Sequence, residues 1–259
     1  MNLNLVKSGG SGPEVVILHG LLGSSRNWQR IMREMSDGCR VIVPDLRNHG
    51  DSPHGPHTIE AMRDDILRLI ETNCDEPPHL VGHSMGGLAA MAVATSDKAA
   101  ISSLVVVDIV PGRRAEGLRK ILDALMELDL KSINTRADAD RALSEKILNP
   151  AVRQFLLQNL RRNDAEEFYW RCNLPELERF AAEETFELPP RAAYEGPTLV
   201  IAGGRSEYKV WEHEELLRAH FPAMILEVFE DASHWVHMDS PDRFVKRLRE
   251  WVGAHASGA

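Results

Sequence analysis

The chain has 259 residues, a formal net charge of -9, and 43% hydrophobic and 27% charged residues. This composition excludes a disordered or fibrous chain, and the scattered basic residues exclude a nucleic-acid-binding surface. Cys39, Cys74 and Cys172 are too widely spaced for a disulfide framework or a zinc site, which indicates a reducing compartment. Since the sequence has neither a signal-peptide pattern nor about 18 consecutive apolar residues, we expect a cytoplasmic protein without membrane insertion.

Short apolar runs alternate with amphipathic segments along the chain. The runs are rich in Val, Ile and Leu and lack polar alternation, which is typical of strands covered on both faces. They are EVVILHG (14–20), RVIVPDL (40–46), PHLVGHS (78–84), SSLVVVDIVP (102–111), PTLVIAGG (197–204) and MILEVFEDASH (224–234). Helical patterns cover 24–35, 58–71 and 240–252. The alternation predicts an α/β class with a mostly parallel twisted sheet and helices on both faces.

The alternation stops between about Gly112 and Tyr194, where only helical patterns occur. The segments 117–128, 135–148 and 149–162 follow one another without a strand-like run, and proline and glycine pairs bound the region. We predict a helical cap over residues 112–194, inserted into a core formed by residues 1–111 and 195–259. Additional crossover helices are the alternative interpretation.

A serine lies between two glycines in LVGHSMGGLAA, directly after a predicted strand and before a predicted helix. At such a strand-to-helix elbow the nucleophile adopts a strained backbone, and Gly82 and Gly86 are required because side chains there would meet neighbouring backbone. We therefore predict Ser84 as a nucleophile. Neighbouring His83 is expected to support the elbow by packing.

Two backbone N–H groups are candidates for binding an oxyanion. Met85 opens the helix after Ser84, where N–H groups are unpaired, and Leu21 follows the strand end at His19-Gly20. A glycine turn that only reverses the chain is the structural alternative for this second loop.

A serine hydroxyl needs a base, and the base needs an orienting acid. His234 follows the last predicted strand and is the preferred base, with His237 as the second choice. Asp108 and Glu207 each follow a strand and could orient His234. We favour Asp108, because a carboxylate buried in VVVDIVP needs a partner.

Several stretches together resemble the α/β-hydrolase superfamily, and specifically its small serine-esterase branch of bacterial short-chain acyl esterases and mitochondrial abhydrolase-domain proteins. They are LHGLLGSSRNW, VPDLRNHGDSP, LVGHSMGGLAAM, VVVDIVP, FLLQNLRR, YWRCNLPELERF, LVIAGGRSEY and ASHWVHMDSPDRF, and they extend over nearly the whole chain. The resemblance implies an α/β-hydrolase fold with Ser84 as nucleophile, His234 as base, and the Leu21 and Met85 N–H groups as oxyanion hole. It places the acid at Asp108, while Glu207 stays open as the alternative.

The stretch DLRNHGDSP resembles a supporting loop of that family. We expect Asp45, Arg47 and Ser52 to form one charge-assisted network behind the nucleophile, and His49 to be a packing residue.

The substrate pocket is expected beneath the cap, with Leu22, Phe155 and Trp235 in its walls. The implied function is a serine carboxylesterase that hydrolyses short- to medium-chain acyl esters of small molecules through an acyl-enzyme, without metal or organic cofactor, as a monomer or homodimer. Thioesterase, amidase, C–C hydrolase and cofactor-free haloperoxidase activities share the same residues. A non-catalytic interaction protein on this fold is the alternative from another class.

Overall fold

The computed structural model describes residues 1–113, 117–183 and 186–256. The strands among these residues are β1 (Leu5–Lys7), β2 (Glu14–Leu18), β3 (Arg40–Pro44), β4 (His79–His83), β5 (Ser103–Val107), β6 (Leu160–Arg162), β7 (Phe168–Trp170), β8 (Thr198–Gly203) and β9 (Met224–Phe229). One sheet has the order β1-β3-β2-β4-β5-β8-β9, and β6 and β7 form a separate hairpin.

The α-helices of the same residues are α1 (Gln29–Met35), α2 (Ile59–Asn73), α3 (Met85–Ser96), α4 (Gly117–Met126), α5 (Arg136–Ser144), α6 (Pro150–Leu157), α7 (Leu174–Glu183), α8 (Glu214–His220), α9 (Val236–Asp239) and α10 (Pro241–Ala254). Short 3-10 helices lie at Ser25–Trp28, Leu130–Ser132 and Val210–His213. None of these helices is long and apolar enough to cross a membrane.

The large sheet is parallel from β3 to β9, and only β1 runs antiparallel to its neighbour β3. Its strands β2, β4, β5 and β8 are buried along their whole length, as expected for continuous apolar runs in a sheet covered on both faces. The predicted α/β class with a mostly parallel sheet is confirmed. Strand β1 was not predicted, because three residues are too few to show a periodic pattern.

Helices cover both faces of the sheet. On one face, Met62 and Ile66 of α2 pack with Met91 of α3 in one hydrophobic cluster. On the other face, Trp28 packs with Phe244 and other apolar residues of α1 and α10. The two clusters hold the sheet between them, so the carboxyl ends of its strands form a fixed edge.

The segment between β5 and β8, called the insertion below, has its own hydrophobic cluster, which includes Leu122, Leu143 and Leu177. The expectation that this region is purely helical is wrong, because α6 ends at Leu157 and the β6–β7 hairpin follows. The side chain of Asn163 accepts hydrogen bonds from two backbone N–H groups of the hairpin turn, which fixes the reversal. The division into a core and a cap at residues 112 and 194 stays a prediction.

Candidate active site

Ser84 lies at the junction of β4 and α3 with φ 53° and ψ -123°, outside the regions that side-chain-bearing residues prefer. Gly82 and Gly86, two positions before and after Ser84, permit this turn. A Cβ at Gly82 would lie 2.3 Å from the carbonyl oxygen of Gly86, and a Cβ at Gly86 would lie 2.6 Å from that of Leu18. The elbow is also tied to β5, because the Ser84 N–H donates to the carbonyl of Val107 at 3.0 Å. The predicted strand-to-helix elbow is therefore present.

One line of hydrogen bonds joins Ser84, His234 and Asp108. The Ser84 Oγ lies 3.0 Å from His234 Nε2, and His234 Nδ1 lies 2.8 Å from Asp108 Oδ2. Because a carboxylate only accepts, Nδ1 carries the proton and Nε2 is left to accept from the serine. The carboxyl ends of β4 and β5 and the loop after β9 supply the three residues.

Asp108 is fully buried and has a complete set of partners. The Gly203 N–H donates to its Oδ1 at 2.8 Å, and the Ser206 hydroxyl donates to its Oδ2. Its backbone has φ 51°, so the chain turns sharply at the end of β5 and aims the carboxylate along the sheet edge. The other candidate acid, Glu207, is exposed, and no hydrogen bond among the described residues joins it to His234. Sequence reasoning missed Ser206, although it precedes Glu207 directly.

The second candidate base, His237, lies elsewhere. It stacks on Trp28 with ring centroids 4.0 Å apart, and burial lowers its pKa to about 3. Nearby His83 donates from Nε2 to the carbonyl of His234 at 2.9 Å, and burial holds its pKa well below the ordinary range. His83 therefore supports the loop that carries His234, while His237 packs beneath it.

The loop after β2 lies directly against the elbow. A Cβ at Gly20 would come within 2.9 Å of His83 Nδ1 and 3.1 Å of Ser84 Cβ, so only glycine allows this approach. Among the described residues, no hydrogen bond occupies the N–H groups of Leu21 or Met85. Both groups are free to donate to an oxygen bound beside Ser84.

His19 holds this loop to the end of β3. Its Nδ1 donates to the Gly20 carbonyl at 2.8 Å, and its Nε2 accepts from the Leu46 N–H at 2.9 Å. Burial lowers the pKa of His19, which keeps the ring in the neutral form that this pattern requires. The supporting role of His19 stays a prediction.

A cavity of about 360 Å³ opens beside Ser84 under helices α4 and α6 of the insertion. The three residues predicted for the pocket, Leu22, Phe155 and Trp235, all line it, and so does His234. A cavity of this size falls in the range of small-molecule sites.

A smaller cleft of about 50 Å³ also borders Ser84. Leu21 and Met85 line it, together with Leu88 of α3 and Phe180 of α7, and His234 does not. Ser84 thus has two unequal spaces beside it, and of these two, as lined by the described residues, only the larger is lined by His234.

The network predicted around Asp45 forms only in part. The Asp45 carboxylate accepts from the Ser25 N–H at 2.8 Å, and the Ser52 hydroxyl donates to the Asp45 carbonyl. Arg47 does not join it, because its guanidinium pairs with the buried Asp65 at 2.8 Å.

Within the described residues, no group of three or more His, Cys, Asp or Glu side chains is arranged to hold a metal ion.

The chain is similar to known proteins over most of its length. The profile of the alpha/beta hydrolase family matches residues 15–247. The chain is 36% identical over 261 residues to the sn-1-specific diacylglycerol lipase ABHD11 of Mus musculus, covering 97% of this chain and 85% of that protein. It is 32% identical to the esterase YbfF of Escherichia coli K12, covering 92% of each. A solved marine microorganism esterase superposes with a TM-score of 0.93 at 31% identity, covering 96% of this chain and 99% of that one.

Proposed function

The chain belongs to the α/β-hydrolase family and is an ester hydrolase of the serine type, and from this premise we propose that it hydrolyses short- to medium-chain acyl esters through an acyl-enzyme. The observation that carries the proposal is the hydrogen-bonded line of Ser84, His234 and Asp108. A serine with a histidine acceptor, itself oriented by a buried carboxylate, is built to attack a carbonyl carbon. The proposed substrate is a small-molecule ester, and no cofactor is part of the mechanism.

The proposed reaction has two halves. The Ser84 hydroxyl gives its proton to His234 Nε2 as Oγ bonds to the ester carbonyl carbon, and the leaving alkoxide takes that proton as the tetrahedral intermediate collapses. Water then repeats the sequence on the acyl group and frees Ser84 as the carboxylic acid leaves. The Asp108 carboxylate stabilises the His234 imidazolium in both halves.

In each half, the negative charge that develops on the carbonyl oxygen makes the main contribution to the activation barrier. We propose that the free N–H groups of Leu21 and Met85 bind this oxyanion. Each such donor contributes about 10²- to 10³-fold to kcat in serine hydrolases, because it is already oriented before the charge develops. The positive end of α3 adds to the same potential.

The two spaces beside Ser84 support a short acyl group. The leaving oxygen must come within reach of His234, so the alcohol arm extends into the larger cavity that His234 lines. The acyl arm then enters the smaller cleft beside Leu88. An ester with a compact acyl group and a longer apolar alcohol fits these volumes best.

Active-site labelling tests the proposed function. Wild-type protein should hydrolyse p-nitrophenyl acetate and butyrate and react with a fluorophosphonate probe at Ser84. Ser84→Ala should do neither while keeping the wild-type melting temperature. Wild-type protein that fails to label, or a Ser84→Ala variant that labels equally, would overturn the proposal.

The cytoplasmic location and the monomeric or homodimeric state stay predictions.

A further inference from the structure

The tight turn after β2 contains a residue in an unusual conformation. The Gly23 N–H donates to the Gly20 carbonyl at 3.0 Å and closes the turn, and Leu22 inside it has φ 61°. A residue with a branched side chain in the left-handed region costs about 1 to 2 kcal/mol relative to the right-handed one. Other contacts must therefore hold Leu22 in place.

Two buried side chains bind the backbone of Leu22 from opposite sides. The Leu22 N–H donates to His49 Nε2 at 3.0 Å, and the Leu22 carbonyl accepts from Asn159 Nδ2 at 2.7 Å. His49 Nδ1 donates to the Arg47 carbonyl at 2.9 Å, which leaves Nε2 as the acceptor. His49 is fully buried and Asn159 is 4% exposed, so neither bond competes with water.

The two side chains come from different parts of the fold. His49 belongs to the loop after β3, whereas Asn159 follows α6 in the insertion. The side chain of Leu22 packs into the hydrophobic cluster of the insertion, next to residues such as Leu156. Leu22 is thus a point where the turn beside Ser84 is held by the insertion.

The bond from Asn159 reaches the proposed oxyanion hole through two peptide planes. A trans peptide holds its C=O and N–H rigidly antiparallel. The Leu22 carbonyl that accepts from Asn159 shares its plane with the Gly23 N–H, which donates to the Gly20 carbonyl. That carbonyl shares its plane with the Leu21 N–H, so the chain of bonds ends at the N–H beside Ser84.

We propose that Asn159 and His49 are positioning residues that fix the Leu22 turn and, together with the bond from His19 to the Gly20 carbonyl, aim the Leu21 N–H at the oxyanion. The inference rests on the proposed function, since it assigns the Leu21 N–H to the oxyanion. Donation to each carbonyl also polarises the next peptide, which strengthens the terminal N–H as a donor. Asn159 lines neither of the two spaces beside Ser84, so it acts through its bond to Leu22.

The test compares two asparagines of the insertion. Asn159→Leu removes the bond to Leu22 and keeps the number and branching of the side-chain heavy atoms. Asn173→Leu is the matched control, because Asn173 Nδ2 also donates from the insertion to the core, at 3.0 Å to Asn48 Oδ1, and not to Leu22. Wild-type esterase activity and labelling of Ser84 are established first, so that failure of the proposed function is recognised separately.

Asn159→Leu should lower kcat by about 10- to 100-fold with KM changed by less than about threefold, as expected for a misplaced group at the reacting centre. Its affinity for a boronic acid transition-state analogue should fall by the same factor as kcat/KM. Asn173→Leu should lower the melting temperature without this selective loss. Folded Asn159→Leu with kcat within about twofold of wild type, or equal losses in both variants, would overturn the proposal.

If Asn159→Leu does not fold, substitutions of His49, which binds the Leu22 N–H, test the proposal instead. His49→Gln offers an amide oxygen to the Leu22 N–H, and His49→Leu offers none. The Gln variant should keep a kcat at least about tenfold above that of the Leu variant at equal KM. Equal kcat values in the two variants would overturn the proposal.

Discussion

His234 and Asp108 are 126 positions apart in the sequence, and the Nδ1 of one lies 2.8 Å from the Oδ2 of the other. Asp108→Asn should keep the fold but lower kcat by about 10³- to 10⁴-fold, because the amide favours the wrong tautomer of His234. Steady-state kinetics with p-nitrophenyl butyrate measure the effect.

Glu207→Gln is the matched control for Asp108→Asn. Glu207 is exposed at the rim of the larger cavity, so its substitution should change kcat by less than about threefold. If Glu207→Gln abolishes turnover while Asp108→Asn does not, Asp108 is not the orienting acid.

Gly86→Ala should destabilise the protein and lower its activity together. Its Cβ would meet the Leu18 and His19 carbonyl oxygens at 2.6 and 2.7 Å, and both atoms belong to the backbone. We expect a loss of about 1 to 3 kcal/mol in the free energy of unfolding, measured in urea.

Gly253→Ala is the control for that substitution, because a Cβ in this part of α10 has nothing within 4 Å. It should raise the free energy of unfolding by about 0.5 to 1 kcal/mol, since Ala favours helix more than Gly. An equal loss of stability in both variants would contradict the close approach at the elbow.

Octyl acetate and ethyl octanoate are isomers that exchange the two arms of the ester, so they test the assignment of the two spaces. The smaller cleft should favour the acetyl group, and kcat/KM for octyl acetate should exceed that for ethyl octanoate by about tenfold or more. This factor corresponds to about two methylene groups that the cleft leaves exposed. A higher kcat/KM for ethyl octanoate would indicate that the acyl arm enters the larger cavity and the alcohol arm the smaller cleft.

Leu88→Ala and Phe155→Ala separate the two arms further. Leu88 lines the smaller cleft, and Phe155 lines the larger cavity. Leu88→Ala should raise kcat/KM for ethyl octanoate relative to octyl acetate, whereas Phe155→Ala should leave the acyl preference unchanged. A p-nitrophenyl series from acetate to palmitate measures the same shift, and long-chain diacylglycerol should be a poor substrate of the wild type.

Stability should fall as the pH drops below about 6.5, where histidines of the unfolded chain gain protons. Burial lowers the pKa of His57 and His237 to about 3, and burial lowers that of His79 to about 4. Between these values and 6.5, the unfolded chain binds more protons than the folded one. The stabilisation present above pH 6.5 is therefore lost at about 1.4 kcal/mol per pH unit for each histidine.

Urea unfolding at neutral pH and at about pH 5 measures this slope. His79→Gln should reduce the pH dependence of the free energy of unfolding by about the contribution of one histidine. It removes one of the groups that the folded state keeps neutral. A free energy of unfolding that does not change over this range would contradict the buried neutral histidines.

The short apolar runs predicted the sheet, because each is continuous and bounded by turn residues. The elbow around Ser84 was equally predictable, since strand, glycines and helix are contiguous in the sequence. The orienting acid could not be chosen from sequence with the same certainty. Asp108 and Glu207 both follow strands, and the direction of the Asp108 carboxylate is set by its positive φ and by the Gly203 N–H and Ser206 hydroxyl that donate to it.

The β6–β7 hairpin and the contact of Asn159 with Leu22 could not be predicted either. Each strand of the hairpin has three residues, which is too short for a period-two pattern. Asn159 is a single polar residue in an apolar segment, and its partner lies 137 positions away. Contacts of this kind depend on the docking of two elements, which no local pattern describes.

The insertion leaves the sheet after β5 and returns at β8, and these two strands are direct neighbours with Leu104 paired to Thr198. A related segment of different length could thus be transplanted at this place without changing the strand register. The elbow and the histidine loop would survive the exchange. A chimera would still need a donor to the Leu22 carbonyl, so we expect activity to follow the presence of that one side chain rather than the overall similarity of the transplanted segment.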